Sequence, residues 1–135
     1  MADSQKQDQT LNGRSVMPGL TVDNLQQSLA FFGGLGFEVE ERWEQNGVLL
    51  GAMLKAGDAR LGLSQDDGKK GARTKGVGMR LYIEAAEDID RVAARARAAG
   101  ITLTTEPHDT EWGARAFDVT EPSGFLLTIA SPAST

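Results

Sequence analysis

The residues best suited to acid–base or metal chemistry lie near the C-terminal end, in the stretch EPHDTEWGARAFDVTEPSGFLLTI at positions 106–129. This stretch contains the only histidine of the chain, His108, followed directly by Asp109, with Trp112 close by. An imidazole beside a carboxylate can act as a general base or as a metal ligand. A tryptophan followed by a glycine suits instead the wall of a pocket that only binds a ligand. Whether these residues serve catalysis or binding depends on where the predicted strands and helices place them.

Composition narrows the classes of protein to consider. The chain has 135 residues, enough for one domain with a sizeable core. No run approaches the ~20 apolar residues that span a bilayer. The formal net charge of −5, without a basic stripe, gives little support for nucleic-acid binding. Acidity favours cationic small-molecule partners through long-range steering, although it also serves solubility alone. We therefore expect neither a membrane nor a nucleic-acid partner.

The cysteine count and the N-terminal segment bear on location. The chain has no cysteine, so neither a disulfide framework nor a thiolate metal site is expected. Residues 1–14 are polar and lack the basic and apolar regions of a secretory signal, which predicts a flexible tail. Together these features predict a cytoplasmic location.

Two stretches of the chain share one pattern, at positions 20–40 and 81–106. Each predicts a short apolar strand, an amphipathic helix, a glycine and a second strand. The predicted buried faces of the helices consist of Leu25, Leu29 and Phe32 in the first stretch and Ile89, Val92, Ala93 and Ala96 in the second. Gly36 and Gly100 come just after the helices, where a left-handed residue is favoured. The repeat predicts two similar modules.

Two further apolar segments follow each of these units, so both halves predict the order β-α-β-β-β. Module one then covers residues 15–64 and module two residues 77–131, with a polar, Gly- and Lys-rich linker at 65–76 and a short tail at 132–135. We predict one α+β domain of two tandem βαβββ modules. Their curved mixed sheets carry a helix on the outer face and enclose a cleft.

A tandem β-α-β-β-β domain of this length resembles the vicinal oxygen chelate superfamily, which includes glyoxalase I, extradiol dioxygenases, fosfomycin-resistance enzymes and bleomycin-resistance proteins. The resemblance covers roughly residues 15–131. It is carried by LTVDNLQQSLAFFGGLGFEV at 20–39 and by DVTEPSGFLLTI at 118–129. Such patterns specify a fold well and a function poorly.

Within the superfamily the chain resembles the bleomycin-resistance proteins in particular. The similarity lies in positions 17–32, 58–67 and 111–129. The family's Trp-Gly-x-Arg-x-Phe run before a Pro-x-Gly turn is matched by Trp112, Gly113, Arg115, Phe117, Pro122 and Gly124. Glu121 stands where the family usually has aspartate. The resemblance implies binding without catalysis, in a pocket at the interface of a two-fold homodimer, with antibiotic resistance as a candidate role. Open sheet edges, which gain from burial against a partner, add weak independent support for a dimer.

Catalytic members of the superfamily bind a divalent metal through inward-facing ligands of both modules. The resemblance places these positions at or beside Met17, Arg80 and Thr128, and the fourth within residues 59–64, which have no carboxylate or imidazole. A thioether, a guanidinium and a hydroxyl do not make a Zn, Ni, Mn or Fe site, and Arg80 adds positive charge where the cation belongs. We therefore expect no metal and no cofactor.

His108 is a single imidazole, so it cannot by itself replace the metal ligands that are absent from these four positions. It lies on a polar connection that contains a proline, which predicts an exposed loop histidine. A role as general base would need an orienting partner, and the neighbouring Asp109 says little about geometry. No Ser-His-Asp or Cys-His arrangement can be argued from the sequence, so no catalytic residue is predicted.

The predicted pocket wall consists of aromatic and polar residues on the strands of the cleft. The candidate ligand-binding residues are Trp43, Arg80, Tyr82, Trp112, Gly113 and Arg115. We predict that Trp43 ends the second strand and that Trp112 opens the seventh. Alternation then places Trp112 and Phe117 on opposite faces, one toward the cleft and one toward the core, unless a bulge intervenes. The other phenylalanines favoured for the core or an interface are Phe31, Phe32, Phe37 and Phe125.

Three functions stay open at this point. The first is a metal-free binding protein that sequesters an aromatic or cationic molecule such as an antibiotic, because tryptophan faces attract cations. Arg80 and Arg115 would instead orient an anionic ligand. The second is a glyoxalase- or dioxygenase-type enzyme, a lyase or oxidoreductase, with an unrecognised metal or acid–base site. The third is a structural or regulatory role. The residues at the metal positions weigh against an enzyme.

Overall fold

The chain folds into two β-α-β-β-β modules, as the repeat predicts. The structure is a computed structural model and describes residues 9–133, so the predicted tails at 1–14 and 132–135 lie partly outside the described residues. Module one comprises β1 (Gly19–Val22), α1 (Leu25–Leu35), β2 (Glu38–Gln45), β3 (Val48–Ala56) and β4 (Ala59–Gln65). Module two comprises β5 (Arg80–Glu84), α2 (Ile89–Ala98), β6 (Leu103–Asp109), β7 (Arg115–Thr120) and β8 (Leu126–Ala130).

Each module forms its own four-stranded sheet, with the strand orders β1-β4-β3-β2 and β5-β8-β7-β6. The pairs β1–β4 and β5–β8 are parallel, whereas the other neighbours are antiparallel hairpins, so both sheets are mixed. Register shifts in β2 and β6 mark bulges, which bend and twist a strand. The α+β prediction with two curved mixed sheets is confirmed. None of the helices in residues 9–133 is both long and apolar enough to cross a membrane.

Capping residues set the ends of both helices. Helix α1 begins after Asn24, whose side-chain oxygen accepts the Gln27 N–H at 3.1 Å, and it ends at Gly36, whose φ is 108°. Helix α2 begins after Asp88, and Gly100 follows it with a φ of 89°. Both glycines therefore adopt the left-handed conformation that the sequence predicts for them.

The two helices pack against one hydrophobic core that both modules share. The predicted helical faces are confirmed, because all their residues are buried except Leu29, which is partly buried against the core. The predicted core phenylalanines Phe31, Phe32, Phe37 and Phe125 are buried. Phe117 is buried as well, which assigns it to the core rather than to the cleft.

The turn between β7 and β8 connects the two modules. Glu121 is only 1% exposed, and its carboxylate accepts hydrogen bonds from the Ser28 hydroxyl of α1 and from the Ser123 N–H at 2.6 Å. The Ser123 hydroxyl in turn accepts the Asp23 N–H of module one at 2.9 Å. Glu121 therefore reaches from module two to a helix of module one.

The connection between the modules runs from residue 66 to residue 79 and is slightly shifted from the predicted linker at 65–76. Its Lys75 ammonium lies 2.6 Å from Asp23 Oδ1 and 2.8 Å from Asp66 Oδ2. These ion pairs hold the connection against module one.

Candidate ligand-binding site

Each sheet has one face against its helix and the core, and one face turned away, which we call the open face. Along β1, β4 and β5, more buried and more exposed residues alternate, because successive side chains point to opposite faces of the sheet. The core faces carry buried or partly buried Leu20, Val22, Leu61, Leu63, Leu81 and Ile83. The open faces carry Gly19, Thr21, Gly62, Ser64, Arg80 and Tyr82. A ligand of the sheets would contact the open faces.

Trp43 lies within β2 on the open face of module one. It pairs with Gly51 of β3, and a Cβ built on Gly51 would lie 3.0 Å from the indole Cε3. The indole therefore covers a backbone position without a side chain, while 43% of the residue stays exposed. An exposed indole face fixed in this way suits stacking against an aromatic or cationic ligand.

The open face of module two carries a polar network instead. Arg80 Nη1 donates to Thr128 Oγ1 at 3.1 Å and to Asp118 Oδ1 at 3.3 Å. The Thr128 hydroxyl donates to the same Asp118 oxygen at 2.5 Å. Two of the predicted metal-ligand positions, Arg80 and Thr128, thus lie side by side on neighbouring strands β5 and β8.

The second carboxylate oxygen of Asp118 accepts the Thr105 hydroxyl of β6 at 3.0 Å, so the network spans all four strands of the sheet. The Nε and Nη2 atoms of Arg80 have no hydrogen-bond partner within residues 9–133. One edge of the guanidinium is anchored and the other edge is free. This arrangement can hold a planar acceptor group of a ligand.

Tyr82 lies two residues after Arg80 on the same open face and is 72% exposed. It also borders a cavity of about 200 Å³ between the modules, which Pro18 and Arg60 line from module one. Arg80 and Tyr82 are therefore neighbours, whereas Trp43 lies on the other sheet.

Trp112 does not open β7, as the sequence predicts. Strand β7 begins at Arg115, and Trp112 lies at the tip of the β6–β7 turn. Thr110 and Ala114 close the turn through the Thr110 N–H, which donates to the Ala114 carbonyl at 2.7 Å. Gly113 adopts a φ of 86°, a left-handed conformation that ends strand geometry and that alternation rules ignore. Trp112 is more than half exposed there.

Arg115 is engaged by carboxylates on the helix side of the sheet. Its Nε and Nη2 donate to Asp90 of α2 at 2.8 and 2.9 Å, and Nη1 donates to Asp109 at 3.2 Å. The Arg115 hydrogen bonds hold the pKa of Asp90 below its usual value and raise the pKa of the guanidinium. Arg115 and Gly113 also share a shallow surface depression of about 370 Å³.

His108 lies in strand β6, so the loop prediction is wrong, while its exposure is confirmed. Strand β6 is an edge strand, and an edge tolerates Pro107 because its missing N–H costs no ladder bond. The imidazole Nδ1 lies 2.8 Å from the Glu106 carbonyl oxygen. No carboxylate in the described part of the chain orients the ring, so the contact gives no general-base arrangement.

The donor set does not fit the divalent metal of the catalytic relatives. Met17 precedes β1 and is half exposed, and Arg80 and Thr128 bond to each other. Within residues 9–133 no three His, Cys, Asp or Glu side chains come together as a group that could hold a metal ion. The one carboxylate near these positions, Asp118, is occupied by Arg80, Thr128 and Thr105.

The sequence-based list of candidate residues missed Asp118 and Thr105. A signal was available for Asp118, because it alternates with the core residues Phe117 and Val119 and must therefore lie on the open face. Thr105 follows a bulge in β6, and this irregular register hides its pairing with Asp118 from a simple alternation.

Comparison with known proteins assigns this geometry to a family. The model of the Glyoxalase/Bleomycin resistance protein/Dioxygenase superfamily matches residues 13–129. The chain belongs to this superfamily. No curated protein matches the chain in sequence.

Three solved structures illustrate the similarity of the fold. TioX from Micromonospora sp. ML1 is 20% identical with a TM-score of 0.70, over 87% of this chain and 98% of that one. A bleomycin-binding protein complexed with bleomycin is 19% identical with a TM-score of 0.66, over 89% of this chain and 99% of that one. A glyoxalase-related enzyme from Fulvimarina pelagi is 19% identical with a TM-score of 0.66, over 89% of both chains. At these identities the fold is shared, and the chemistry must come from the residues of this chain.

Proposed function

We propose that the protein binds a small aromatic or cationic molecule, without a metal, in a cleft between open sheet faces, and thereby sequesters it. The observation that carries this proposal is the Arg80–Asp118–Thr128 network. It places a paired guanidinium where catalytic relatives need metal ligands. A guanidinium has no lone pair to offer and cannot serve as a metal ligand, whereas a ligand can accept hydrogen bonds from its N–H groups.

The likeness to a bleomycin-binding protein supports binding as the activity, and an antibiotic is one candidate ligand. Trp43 would supply the stacking surface, and Arg80 and Tyr82 would supply polar contacts. Trp112 and Gly113 would close the rim of the cleft from the β6–β7 turn. Arg115 would act on that rim indirectly, because its guanidinium already bonds to Asp90 and Asp109.

The cleft would form between two copies of the chain in a homodimer. Trp43 and Arg80 lie on different sheets, and neither Trp43 nor Trp112 lines any of the five cavities of about 200–440 Å³ found in the described part of the chain. Several large apolar side chains on or near the sheets are exposed, namely Met17, Trp43, Val48, Leu50, Met79, Tyr82 and Trp112. Apolar exposure of this kind marks an interface or a ligand site. Sedimentation of the purified protein tests the dimer.

A glyoxalase-type enzyme with another metal site or a metal-free acid–base pair is the second candidate, supported by the likeness to a glyoxalase-related enzyme. Elemental analysis of the purified protein separates a metal enzyme from the metal-free protein. Stoichiometric Zn, Ni, Mn or Fe would contradict the metal-free proposal.

A thermal-shift panel of bleomycin-type drugs, other antibiotics and glutathione adducts tests ligand binding. A ligand at 100 times its dissociation constant stabilises the folded state by about 2.7 kcal/mol, which gives a clear rise of the melting temperature. Trp43→Ala should weaken any hit, and turnover should be absent. A panel without a single shift would remove the support for drug sequestration.

A further inference from the structure

A cavity of about 400 Å³ lies between the modules, apart from the open-face residues Trp43, Arg80 and Trp112. We call it the seam cavity. Module one contributes the end of α1 and the β3–β4 turn, and module two contributes the end of β5, the segment after it and part of α2. Its volume is within the range of small-molecule sites.

Small residues create the space. The seam cavity is lined in part by Gly36, Ala56, Gly57, Ala59, Ala85 and Ala86. Its floor is apolar and belongs to the core, with Phe37, Val92 and Ile129 all buried. Water on an apolar floor is readily displaced by an apolar group.

The charged residues of the seam cavity are mostly acidic. Glu87 is bonded to Arg95 at 2.8 and 3.2 Å, so these two charges compensate each other. The side-chain carboxylates of Asp58 and Glu84 form no hydrogen bond or ion pair with any described residue. Asp58 does interact electrostatically with Arg60, but that guanidinium is bonded to Glu40 at 3.0 Å. The cavity therefore carries excess negative charge beside an apolar floor.

We propose that the seam cavity is a second binding site, which takes a small amphipathic amine. The protonated amine lies against the carboxylates of Asp58 and Glu84, and the apolar body of the ligand lies against Phe37 and Ile83. Charge selects the amine over a carboxylate of the same shape, and the small lining residues admit a flat or compact body. Because both modules line the cavity, a bound amine stabilises their junction.

Three probes of nearly the same shape test the proposal, namely benzylamine, benzyl alcohol and benzoate. Each is titrated into the ¹⁵N-labelled protein, with the amide signals of Gly36, Gly57 and Ala85 as reporters. We expect saturable shifts at these reporters with benzylamine, about fivefold weaker binding of benzyl alcohol, and no binding of benzoate. No saturable shift, or equal binding of the three probes, would overturn the proposal.

Matched variants assign the effect to the cavity. The double variant Asp58→Asn/Glu84→Gln should bind benzylamine about fivefold more weakly and keep its fold, because both side chains are exposed. Glu41→Gln, which removes an exposed carboxylate on β2, should bind benzylamine like the parent protein. Ala59→Leu, which fills part of the cavity, should reduce binding of benzylamine and benzyl alcohol alike. Unchanged affinity in the double variant would exclude the two carboxylates and the proposal with them.

The outcome is independent of the open-face site. Benzylamine is itself an aromatic cation that suits the open face, so only the signals of Gly36, Gly57 and Ala85 report on the seam cavity. The affinity read at these three signals should stay unchanged in Trp43→Ala, since Trp43 does not line the seam cavity. Loss of their saturable shifts in Trp43→Ala would place the amine on the open face and refute a second site.

Discussion

The two sheets have the same strand order, and β1, β4 and β3 pair in the same register as β5, β8 and β7, but the open faces carry different groups. Leu20 faces Leu63 in module one as Leu81 faces Leu127 in module two, which aligns the two sheets residue by residue. In this alignment Arg80 corresponds to Gly19, Asp118 to Gly51, Thr128 to Ser64 and Thr105 to Trp43. Module two has a charged network where module one has Gly19, Ser64 and Gly51, and the Trp43 indole lies over Gly51 alone.

The turns at the ends of these sheets differ as well. In module one, β3 and β4 are joined by the short turn Gly57–Asp58, which lines the seam cavity. In module two the longer turn between β7 and β8 places Glu121 against Ser28. The module-one turn leaves a cavity between the modules, whereas the module-two turn fills its part of the boundary with a buried carboxylate.

These differences separate what the scaffold requires from what a ligand requires. Core-face positions are apolar in both modules because they must pack against the helices. Open-face positions are free of this requirement and diverge. If the protein is the proposed two-fold dimer, each cleft should combine the open face that carries Trp43 with the open face that carries the charged network, so that stacking and hydrogen bonding come from different modules.

The largest expected effect on stability comes from the buried contact between Glu121 and Ser28, which joins the two modules. Glu121→Ala should lower the free energy of unfolding by about 3 kcal/mol, because it leaves the buried Ser28 hydroxyl without its acceptor and opens a cavity. Urea titration measures the loss. Glu121→Asp keeps the charge but shortens the reach, so we expect an intermediate loss. An aspartate variant as stable as the parent would show that the contact with Ser28 contributes nothing.

Gly51→Ala tests whether module one needs a glycine beneath the Trp43 indole. The added Cβ would lie 2.7 Å from the Leu63 carbonyl oxygen and 3.0 Å from the Trp43 ring. We expect a destabilisation of about 2 kcal/mol and a displaced indole, visible in tryptophan fluorescence. The matched control is Gly62→Ala on the same face, where nothing lies within 4 Å of the new Cβ. Equal effects of the two substitutions would contradict a specific Trp43–Gly51 contact.

The Arg80–Asp118–Thr128 network of module two should contribute less to the free energy of unfolding than the close packing of Gly51 against Trp43. A double-mutant cycle between Arg80→Ala and Asp118→Ala should give a coupling energy of about 0.5–1 kcal/mol, because the pair is partly exposed to solvent. Either variant should impair ligand binding more than folding. A large loss of stability with unchanged ligand affinity would make the network purely structural.

The smallest effect concerns the Arg115–Asp90 pair, for which module one has no counterpart, since Val48 occupies the corresponding position. The pKa of Asp90 is lowered in the folded state, chiefly by the Arg115 hydrogen bond. The stabilisation is therefore present above the unfolded pKa of aspartate and is lost as the pH falls through the lowered value. Arg115→Gln should slightly lower the melting temperature near neutral pH and have no effect in strong acid. The same small decrease at both pH values would exclude the ion pair as its source.

Much of the scaffold follows from the sequence because its signals are local or periodic. Gly36 and Gly100 mark helix ends through backbone conformation, and the spacing of apolar residues identifies the buried faces. Phe117 is assigned to the core once strand alternation is known. The adjacency of Arg80 and Thr128 follows from positions that the superfamily shares.

The errors lie where the chain departs from periodicity. Strand alternation extended back through Gly113 predicts Trp112 on β7, but the left-handed conformation of Gly113 belongs to a turn. A polar segment that contains Pro107 predicts a loop around His108, but the edge strand β6 accommodates the proline. The reach of Glu121 to Ser28 depends on how the modules pack, which no local pattern records.

The most direct test compares metal-stripped protein with protein reloaded with Zn, Ni, Mn or Fe. The measurement is the rise of the melting temperature that a bleomycin-type drug produces in each sample, with Trp43→Ala as the control variant. Metal-free binding on the open faces predicts the same rise with and without metal, and a smaller rise in Trp43→Ala. A rise that requires added metal, or no rise in either sample, would contradict it.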